Sequence, residues 1–442
     1  MPRGNATQNT IAAIATPAGR GGIGVVRVSG PAVPEIARAV IGRLPDPRRA
    51  LRCAFRGQGG ERVDDGIALY FEAPHSYTGE AVLELQGHGG PVVMHALLSA
   101  VLDAGARLAE PGEYTRRAYL NGRLDLAQAE AVADLIDAMS REAARSALRS
   151  LSGEFSTAIA TLVSGLTELR ALTEAMLDFP EDEIDSLQRG DAQARLARLR
   201  VALDEVLAKS RQGSLLRSGI HVVLAGRPNV GKSSLLNRLA GEERAIVTAQ
   251  PGTTRDALRE TIQIEGVPVV VVDTAGLRES VDEVERLGME RTRRELASAD
   301  VVLVILEAGR MEAPEGPLPP GAARITVVNK IDLVPGAACG RRGSEVHVSA
   351  KTGVGLGALR KALLEAAGWN SPGESVFLAR ERHLRALFTA QAHLQAAEMQ
   401  GAYWEFFAEE LRLAQEALGG IAGRVSADDL LGEIFSRFCI GK

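Results

Sequence analysis

The octapeptide GRPNVGKS, from Gly226 to Ser233, has the residue types and spacing of a loop that binds phosphate groups. It follows the β-rich run HVVLA and precedes the helical run SLLNRLAG, the context in which this pattern is specific. Backbone N–H groups of such a turn and of the helix start surround phosphate oxygens. Lys232 brings a positive charge to the β- and γ-phosphates, and the Ser233 hydroxyl suits Mg²⁺. The loop therefore predicts a site that binds a nucleoside triphosphate together with Mg²⁺.

Four further motifs follow in the order that a GTP-hydrolysing domain requires: GTTRD (252–256), DTAG (273–276), NKID (329–332) and SAK (349–351). The first supplies a threonine, assigned to Thr254, to Mg²⁺ and the γ-phosphate, and the second places Asp273 near the metal. The Asp332 carboxylate accepts hydrogen bonds from N1–H and the 2-amino group of guanine, an edge that adenine lacks. The motifs therefore predict GTP rather than ATP. The GTP contacts expected from them are Asn229, Val230, Gly231, Lys232, Ser233, Ser234, Gly252, Thr253, Thr254, Asp273, Thr274, Ala275, Gly276, Asn329, Lys330, Asp332, Ser349, Ala350 and Lys351.

The hydrolytic group is left open by these motifs. A Ras-type GTPase has a glutamine after DTAG that orients the attacking water, and this chain has Leu277 there. The chain also has no obvious arginine finger. The acidic run ESVDEVERLG lies a few residues downstream, and Asp282, Glu283 and Glu285 in it are equal candidates for orienting water. A solvated acidic surface accounts for two of the three.

The surrounding sequence indicates the elements that hold these motifs. Short β-rich runs (HVVLAG, TIQI, VPVVVVD, DVVLVIL and RITVVNK) alternate with helical segments, which is typical of a parallel sheet with crossover helices. Ala- and Leu-rich sequence on either side of this region has apolar residues at helical spacing. Before about residue 119, strand-like runs, Gly and Pro turns and the helical stretch PVVMHALLSAVLDAG predict a small α+β domain. The predicted fold class is thus multidomain, α+β and α/β, with an α/β domain inserted into a helical one.

Net charge, cysteine spacing and the absence of a long apolar segment in the sequence limit the kinds of partner and cellular compartment that we expect. The 442 residues carry a formal net charge of −5, which does not advertise a nucleic-acid partner and does not exclude a local basic surface. The three cysteines are far apart, so neither a disulfide framework nor a cysteine zinc site is expected. We expect a cytoplasmic protein with no cleaved leader and no membrane partner. The acidic run DFPEDEID (178–185) is interpreted as a solvated loop between helices rather than as a metal site.

The chain ends in RFCIGK, which makes Cys439 a candidate lipidation site, reactive thiol or packed residue. CIGK is a poor prenylation signal. The preceding SADDLLGEIFSRF predicts a helix with Ser426 as its N-cap and Asp429 three residues later. Its apolar face would bury Leu430, Leu431, Ile434, Phe435 and Phe438. The tail is therefore expected to be docked, and Cys439 stays a tentative catalytic residue.

Long stretches from both ends of the chain carry a family resemblance. They are TPAGRGGIGVVRVSG, SYTGEAVLELQGHGG, PGEYTRRAYLNGRLDLAQAEAVADLID, KSRQGSLLRSG, GRPNVGKSSLLN, PGTTRD, DTAGLRESVDEVERLG and the terminal FCIGK. Over essentially its whole length the chain resembles the bacterial tRNA modification GTPase family MnmE (TrmE). Other GTPases share the phosphate-binding loop, but they have neither the N-terminal motifs nor the C-terminal FCIGK motif.

The resemblance implies a domain plan and a second ligand. It implies an N-terminal dimerisation and tetrahydrofolate-binding domain over 1–119, a helical domain over 120–215 and 375–442, and an inserted Ras-like G domain over 216–374. The folate contacts carried over are Arg27, Glu84, Arg123 and Lys442. A buried ion pair accounts equally well for Arg27 and Glu84.

The resemblance also implies partners and a reaction. A homodimer would work with the FAD-containing flavoprotein MnmG (GidA), NADH and a carbon from 5,10-methylenetetrahydrofolate, for which 5-formyltetrahydrofolate is an analogue. Together they would place an aminomethyl or carboxymethylaminomethyl group on C5 of the tRNA wobble uridine, with obligatory GTP hydrolysis.

For hydrolysis, the resemblance implies K⁺ in place of an arginine finger. Asn229 matches its side-chain ligand, and TAQPGT resembles the segment that surrounds the ion, so Thr248, Gln250 and Thr253 complete the expected K⁺ site. Thr248, Ala249, Gln250 and Pro251 of this segment join the expected GTP contacts. The match to DEVERLG selects Glu285 as the catalytic residue, brought in when two G domains meet.

Two alternatives compete with this enzyme. One is a regulatory GTPase switch of the ribosome-assembly or ferrous-transport kind, without chemistry on RNA. A carboxy-terminal RNA-binding domain or membrane helices would favour it, and neither is found in the sequence. The other, a lipid-anchored signalling GTPase, rests only on Cys439.

Overall fold

The computed structural model describes residues 9–178, 186–241, 259–273, 299–310, 312, 321–370, 376–400, 403–423, 428–436 and 438–441. Contacts within the chain divide it into two compact units. The first unit comprises Met1–Ala133 and Gly419–Lys442, and the second comprises Asp134–Leu418. The prediction assigned 375–442 to the helical domain, whereas the last residues cluster with the N-terminal ones. The domain boundaries given above stay predictions.

The first unit contains a sheet of six strands and the helices that cover it. The strands are β1 (Ile11–Ile14), β2 (Gly21–Ser29), β3 (Leu51–Arg56), β4 (Arg62–Phe71), β5 (Val82–Gly89) and β6 (Arg107–Leu108), in the order β3-β4-β5-β2-β1-β6. The helices are α1 (Val33–Ile41), α2 (Pro91–Asp103), α3 (Glu113–Leu120), α4 (Leu126–Ile136), which ends in the second unit, and α12 (Asp428–Ser436). The predicted helix PVVMHALLSAVLDAG is confirmed as α2.

Alternation along the central strands separates a core face from a polar face. In β2 and β5 the pairs Val26–Leu85 and Val28–Leu83 lie in one buried cluster with residues of α1 and α2. Between them, Arg27 lies opposite Glu84. Because successive side chains of a strand point to opposite faces, this register puts the two charged side chains together on the other face.

The C-terminal residues pack within the first unit. Leu431, Ile434, Phe435 and Phe438 form a buried cluster with Leu126 and Ala129 of α4. Gly441 has φ 99°, and a Cβ there would lie 2.5 Å from the Ile14 carbonyl oxygen at the end of β1. The predicted docking of the tail is confirmed for these residues. The predicted N-cap Ser426 and the side chains of Asp429 and Leu430 lie outside the described part of the chain.

The second unit combines helices with a sheet of seven strands. Its helices are α5 (Arg141–Leu151), α6 (Glu154–Asp178), α7 (Ser186–Ser218), α8 (Lys232–Ala240), α9 (Leu356–Ala366), α10 (Glu381–Met399) and α11 (Trp404–Gly419), and a 3-10 helix spans Ile331–Leu333. Its strands are β7 (Ile220–Ala225), β8 (Arg259–Ile264), β9 (Val267–Asp273), β10 (Val301–Glu307), β11 (Ala323–Asn329), β12 (Gly340–Arg342) and β13 (Glu345–His347). The predicted fold class, α+β with helices and an α/β domain, is confirmed.

The second sheet has the order β12-β13-β11-β10-β7-β9-β8, and its interior pairs are parallel. The prediction placed TIQI among the parallel strands, and this is wrong for β8, which pairs antiparallel with β9. Glu265 and Gly266 between the two strands have φ of 50° and 80°. Positive φ at both positions is the conformation of a tight hairpin turn, and such a turn joins antiparallel strands.

The carboxyl ends of the parallel strands meet at one edge of this sheet. Register pairs Leu224 with Asp273, and Glu307 with Asn329, at the ends of neighbouring strands. Ligands of α/β sheets bind beyond this edge. Among the described helices, none has both the length and the apolarity to cross a bilayer.

Candidate functional site

The phosphate-binding motif forms the turn between β7 and α8. Asn229 and Gly231 both have positive φ, 66° and 94°, and Gly231 is the N-cap of α8. A Cβ on Gly231 would collide with the Asn329 side-chain amide, so only glycine fits. The first N–H groups of a helix have no acceptor within it, and they point out of the N-terminus with the positive end of the helix dipole. The turn is thus built to hold an anion at Lys232, Ser233 and Ser234.

Lys232 lies across this turn. Its Nζ donates to the carbonyl oxygen of Gly226 at 2.8 Å and to that of Arg227 at 3.3 Å. A Cβ on Gly226 would lie 2.6 Å from the Ile305 carbonyl oxygen, so this glycine allows the loop to approach β10. The ammonium group therefore stands inside the loop that would surround the phosphates. Arg227 forms an ion pair with Glu312.

Asn329 connects the phosphate-binding loop to the SAK loop. It is 1% exposed, its Nδ2 donates to the Val230 carbonyl oxygen at 2.9 Å, and its Oδ1 accepts from the Ala350 N–H at 3.0 Å. The sequence predicted Asn329 and Ala350 as nucleotide contacts and contained no signal for this bridge. Both loops are held by one buried amide, so displacement of either one strains the other.

The carboxylate predicted to bind guanine is held in place at the same edge. Ser349 Oγ donates to Asp332 Oδ1 at 2.6 Å and accepts from the Thr352 N–H at 3.1 Å. Asp332 is exposed. Lys330, with φ 64°, forms an ion pair with Glu307 at 3.2 Å. The structure thus brings together the predicted phosphate-binding and base-binding residues from Asn229 to Ser234 and from Asn329 to Lys351.

Of the remaining predicted residues of this site, the structure describes only the backbone of Asp273. Asp273 is the last residue of β9 and is paired with β7. Outside the described residues lie the candidates for water orientation, Asp282, Glu283 and Glu285, and the predicted ligands and contacts Thr248, Ala249, Gln250, Pro251, Gly252, Thr253, Thr254, Thr274, Ala275 and Gly276. The predicted Mg²⁺ pair is therefore represented by Ser233 and the predicted K⁺ set by Asn229, and both side chains are exposed.

The second predicted site lies on the polar face of the first sheet. Arg27 donates from Nε to Glu84 Oε1 at 2.9 Å and reaches the same oxygen from Nη2 at 2.8 Å. The Arg27 guanidinium stands over the Tyr114 ring at 5.8 Å, and the Tyr114 hydroxyl donates to the Arg27 carbonyl oxygen at 2.7 Å. The two side chains are 25% and 17% exposed, so they form an ion pair that solvent reaches.

Arg123 borders the loop that precedes β5. Asn121 Nδ2 donates to the Thr78 carbonyl oxygen at 2.7 Å, and a Cβ on Gly79 would lie 3.3 Å from Arg123 Cγ. At the other end of this loop, Tyr77 is 37% exposed as a whole, but loss of hydration at its hydroxyl raises its pKa, and the hydrogen bond with Thr115 and the positive charge of Arg27 oppose this rise. Arg27 and Arg123 therefore both belong to the surroundings of one loop, Tyr77–Glu80. Tyr77 and Tyr114 were not predicted, because nothing in their spacing distinguishes them from core residues.

The chain terminus reaches the strand beside Arg27. Ala13 of β1 is paired with Arg27, and Gly441 packs on the next residue of β1, Ile14. Lys442 lies outside the described residues. The Cys439 thiol is exposed, while its carbonyl oxygen accepts from the Gly112 N–H at 3.4 Å. A catalytic role of Cys439 stays a prediction.

Family models match both parts of the chain. One, described as the GTP-binding protein TrmE N-terminus, covers residues 10–123, and another, the MnmE helical domain, covers residues 126–439. A protein named tRNA modification GTPase MnmE from Azoarcus sp. is 61% identical over 98% of this chain and 98% of its own length. This chain belongs to the MnmE family. A Thiobacillus denitrificans protein of the same name is 58% identical, again over 98% of each chain.

A structural comparison is much weaker than these sequence matches. The G domain of the FeoB iron transporter of T. maritima is 23% identical and covers 34% of this chain and 98% of that domain, with a TM-score of 0.23. A TM-score of this size is too low to indicate a shared fold by itself.

This MnmE-family chain also contains a buried network of ion pairs around Arg117 that the sequence did not predict. Arg117, 2% exposed, donates to Glu80 Oε2 at 2.9 Å, Glu113 Oε1 at 2.9 Å and the Asn9 carbonyl oxygen at 2.9 Å. Arg107 binds both carboxylate oxygens of Glu113, from Nη2 to Oε1 at 2.5 Å and from Nη1 to Oε2 at 2.9 Å. Burial raises the pKa of Glu113, but the hydrogen bonds from Arg107, the Glu110 N–H and Arg117 outweigh it, so the net pKa is lowered. Glu80 ends the Tyr77–Glu80 loop, so this network holds one end of the loop that Arg123 borders.

Proposed function

We propose that this chain is a GTP-hydrolysing enzyme that modifies tRNA. The observation that carries the proposal is the junction made by Asn329, which holds the phosphate-binding loop and the SAK loop of a GTP site in one frame, in a chain of the MnmE family. The predicted enzyme class, a GTPase of tRNA modification, is confirmed by the name that these relatives carry. Because tRNA is a polyanion and this protein has a net charge of −5, the proposal requires a local basic surface for tRNA.

The nucleotide end follows from residues that the structure describes. The first N–H groups of α8 and Lys232 would hold the phosphates, and Ser233 would bind Mg²⁺ together with Thr254. Asp332 would accept the guanine N–H groups, with Ser349 fixing its orientation at 2.6 Å. Mg²⁺, when bound, would neutralise the negative charge of the phosphate oxygens while the γ-phosphoryl group is transferred to water.

Hydrolysis is proposed to use K⁺ and Glu285. Asn229, Thr248, Gln250 and Thr253 would hold the ion, which supplies the positive charge that an arginine finger provides in other GTPases. Glu285 would orient the water, since Leu277 has no polar group to do so. Dimerisation of two G domains would bring Glu285 into place.

The one-carbon end is proposed for the first unit. Arg27, Glu84, Arg123 and Lys442 would bind tetrahydrofolate, whose glutamate carboxylates suit arginine and lysine and whose pterin N–H groups suit a carboxylate. The half-buried Arg27–Glu84 pair fits such a ligand because solvent still reaches both groups. With an MnmG flavoprotein holding FAD, the homodimer would add an aminomethyl or carboxymethylaminomethyl group at C5 of the wobble uridine. Cytoplasmic location belongs to the same proposal.

The direct test is the wobble uridine itself. We expect tRNA from cells that lack this protein to have unmodified wobble uridines, and a plasmid copy to restore the modification. A plasmid copy of Lys232→Ala is expected not to restore it. Normal uridines in the deletion strain would instead support a regulatory GTPase without chemistry on RNA.

A second test separates K⁺ from Glu285. GTP turnover by the purified protein is expected to rise strongly in K⁺ relative to Na⁺, and ATP turnover to be negligible. Glu285→Ala should retain nucleotide binding and lose turnover. Equal rates in the two salts would remove the K⁺ assignment while leaving the GTPase itself in place.

A further inference from the structure

A buried carboxylate joins the chain segments that enter and leave the α/β domain. Asp134, on α4, has a side chain that is 7% exposed. Its Oδ1 accepts from Arg217 Nε at 3.0 Å and from Arg380 Nη2 at 2.8 Å, and its Oδ2 accepts from Arg380 Nε at 3.3 Å. We call these three residues the junction clamp.

The two arginines occupy corresponding places at the start and the end of the insert. Arg217 lies in the last turn of α7, and the next element is β7, which runs to the phosphate-binding loop. Arg380 is the N-cap of α10, and the extended residues 376–379 before it return from the α/β domain. One carboxylate therefore holds both crossings between the helices and the nucleotide-binding sheet.

Neighbouring contacts fix the same crossings without charge. Ser146 Oγ donates to the Val376 carbonyl oxygen at 2.8 Å, and Gln212 accepts from the Asn370 N–H at 3.1 Å. Gly213 packs so closely on the Phe377 backbone that a Cβ has no room. These contacts hold the exit segment against α5 and α7, and the clamp joins α4 to both crossings through one carboxylate.

The clamp is buried on one side and open on the other. Asp134 and Arg380 are 7% and 14% exposed, whereas Arg217 is 38% exposed, so the carboxylate and Arg380 are the charges that water reaches least. If the insert turns relative to the helices and Arg380 moves away, the buried Asp134 carboxylate loses two of the three hydrogen bonds that it accepts from the arginines. Such a site favours one docked arrangement over intermediate ones.

We propose that Asp134 is a positioning residue that locks the nucleotide-binding insert to its helical support and thereby couples the nucleotide site to the reaction carried out elsewhere in the protein. Arg217 is separated from the phosphate-binding loop only by β7, a central strand of the sheet, so the clamp holds the base of the strand that carries the loop. The part of this proposal that concerns tRNA modification rests on the proposed function, whereas the part that concerns the attachment of the insert does not.

The test uses the full-length protein with Asp134→Asn, which keeps the side-chain shape and removes the charge. Asp191→Asn is the matched control, because Asp191 forms an exposed ion pair at 2.8 Å with Arg195 of the same helix. Three quantities are measured: nucleotide stoichiometry and Kd with fluorescent GDP, hydrogen exchange of peptides covering 214–222 and 376–382, and kcat and KM for GTP in tRNA modification.

For Asp134→Asn we expect unchanged nucleotide stoichiometry, faster exchange in both peptides, and a fall of about tenfold in kcat for modification with KM unchanged, a typical size for a coupling effect. Asp191→Asn should match the wild type in all three. Adding Arg217→Gln and Arg380→Gln to Asp134→Asn should cause little further loss, because residues of one network are not additive.

Three results would overturn the proposal. The first is modification at the wild-type kcat in Asp134→Asn. The second is a fall in nucleotide stoichiometry parallel to the fall in kcat, which indicates ordinary unfolding. The third is unchanged exchange in both peptides. If the wild-type protein itself fails to modify tRNA, the proposed function fails, while the exchange measurement still decides the fate of the clamp.

Discussion

Two arginine–glutamate systems lie in the first unit and differ in what surrounds them. The Arg27–Glu84 pair joins two strands on an open face, with 25% and 17% of the side chains exposed. Arg117 is 2% exposed and lies between Glu80 and Glu113, which are 13% and 7% exposed. The first pair can exchange an internal hydrogen bond for one to a ligand, whereas the second cannot do so without exposing the core.

The difference separates a candidate binding group from a supporting one. A buried charge is expensive to leave unpaired, so the Arg117 network contributes mainly to the folded state. An ion pair that water reaches contributes less to stability, and its charged groups can exchange their partner for a charged ligand. Arg27 and Glu84 do form the ion pair that was the alternative explanation, and it is half-buried, whereas Arg117 is buried. Their role as folate contacts stays a prediction.

The largest expected effect is on the buried network. Arg117→Met leaves Glu80 and Glu113 without their shared partner and should lower the free energy of unfolding by about 3–5 kcal/mol. Urea denaturation followed by circular dichroism measures this change. Arg38→Met, at an exposed pair with Glu35 at 3.7 Å, is the control and should change stability by less than about 1 kcal/mol. Equal effects of the two variants would remove the distinction.

The open pair should show the opposite pattern. Arg27→Ala is expected to change the free energy of unfolding by less than about 1 kcal/mol. It should weaken 5-formyltetrahydrofolate binding by about 1.5–3 kcal/mol, the usual loss for a hydrogen bond to a charged group. Isothermal titration calorimetry with Arg38→Ala as control measures the affinity. Unchanged binding in Arg27→Ala would remove Arg27 from the folate site.

Tyr114 lies between the two systems and tests how strongly they are connected. Tyr114→Phe removes the hydroxyl that donates to the Arg27 carbonyl oxygen and should reduce stability by about 1 kcal/mol. Because the ring under the guanidinium remains, folate affinity should change little. Urea denaturation and calorimetry on the same preparation measure both, with the exposed Tyr403→Phe as control. A loss of affinity as large as that of Arg27→Ala would show that the hydroxyl positions Arg27.

The smallest expected effect is a pH dependence. The folded-state pKa of Glu113 is lowered, so its stabilising contribution is present above the unfolded pKa of about 4.3 and is lost as pH falls through the folded pKa. Protonation removes only the charge and leaves the surrounding donors in place, so this loss is smaller than that of Arg117→Met. Urea denaturation at a series of pH values from about 7 down to about 3 measures it. Glu113→Gln should flatten the acid side of the profile, and an unchanged profile would contradict the assignment.

Local patterns predicted the elements and the nucleotide loops well, for a physical reason. The phosphate-binding loop needs a strand, a glycine with positive φ and a helix start within a few residues, so its chemistry is written in consecutive positions. The central strands are apolar on both faces, which identified β7, β9, β10 and β11. The direction of β8 was mispredicted because the two-residue link Glu265–Gly266, whose glycine favours a hairpin turn, was not interpreted as one.

Side-chain partners were predicted less well. Asn329 was expected to contact the nucleotide, yet its amide joins residues 99 and 21 positions away. Asp134 meets Arg217 and Arg380 across 83 and 246 positions. No spacing rule connects such residues, because their meeting depends on how helices and sheet pack.

The sequence by itself determined the GTP-binding motifs, the alternation of domains along the chain and the family, because each depends on residues that are close in sequence or on words long enough to be specific. The tertiary structure decided which charges are buried, and with that which of them support the fold and which face a ligand. Arg27 and Arg117 are both arginines that pair with glutamates, Arg27 with Glu84 and Arg117 with Glu80 and Glu113. Only the packing of α3 and the tail on the first sheet gives them different dielectric surroundings, and the cost of an unpaired charge follows from those surroundings.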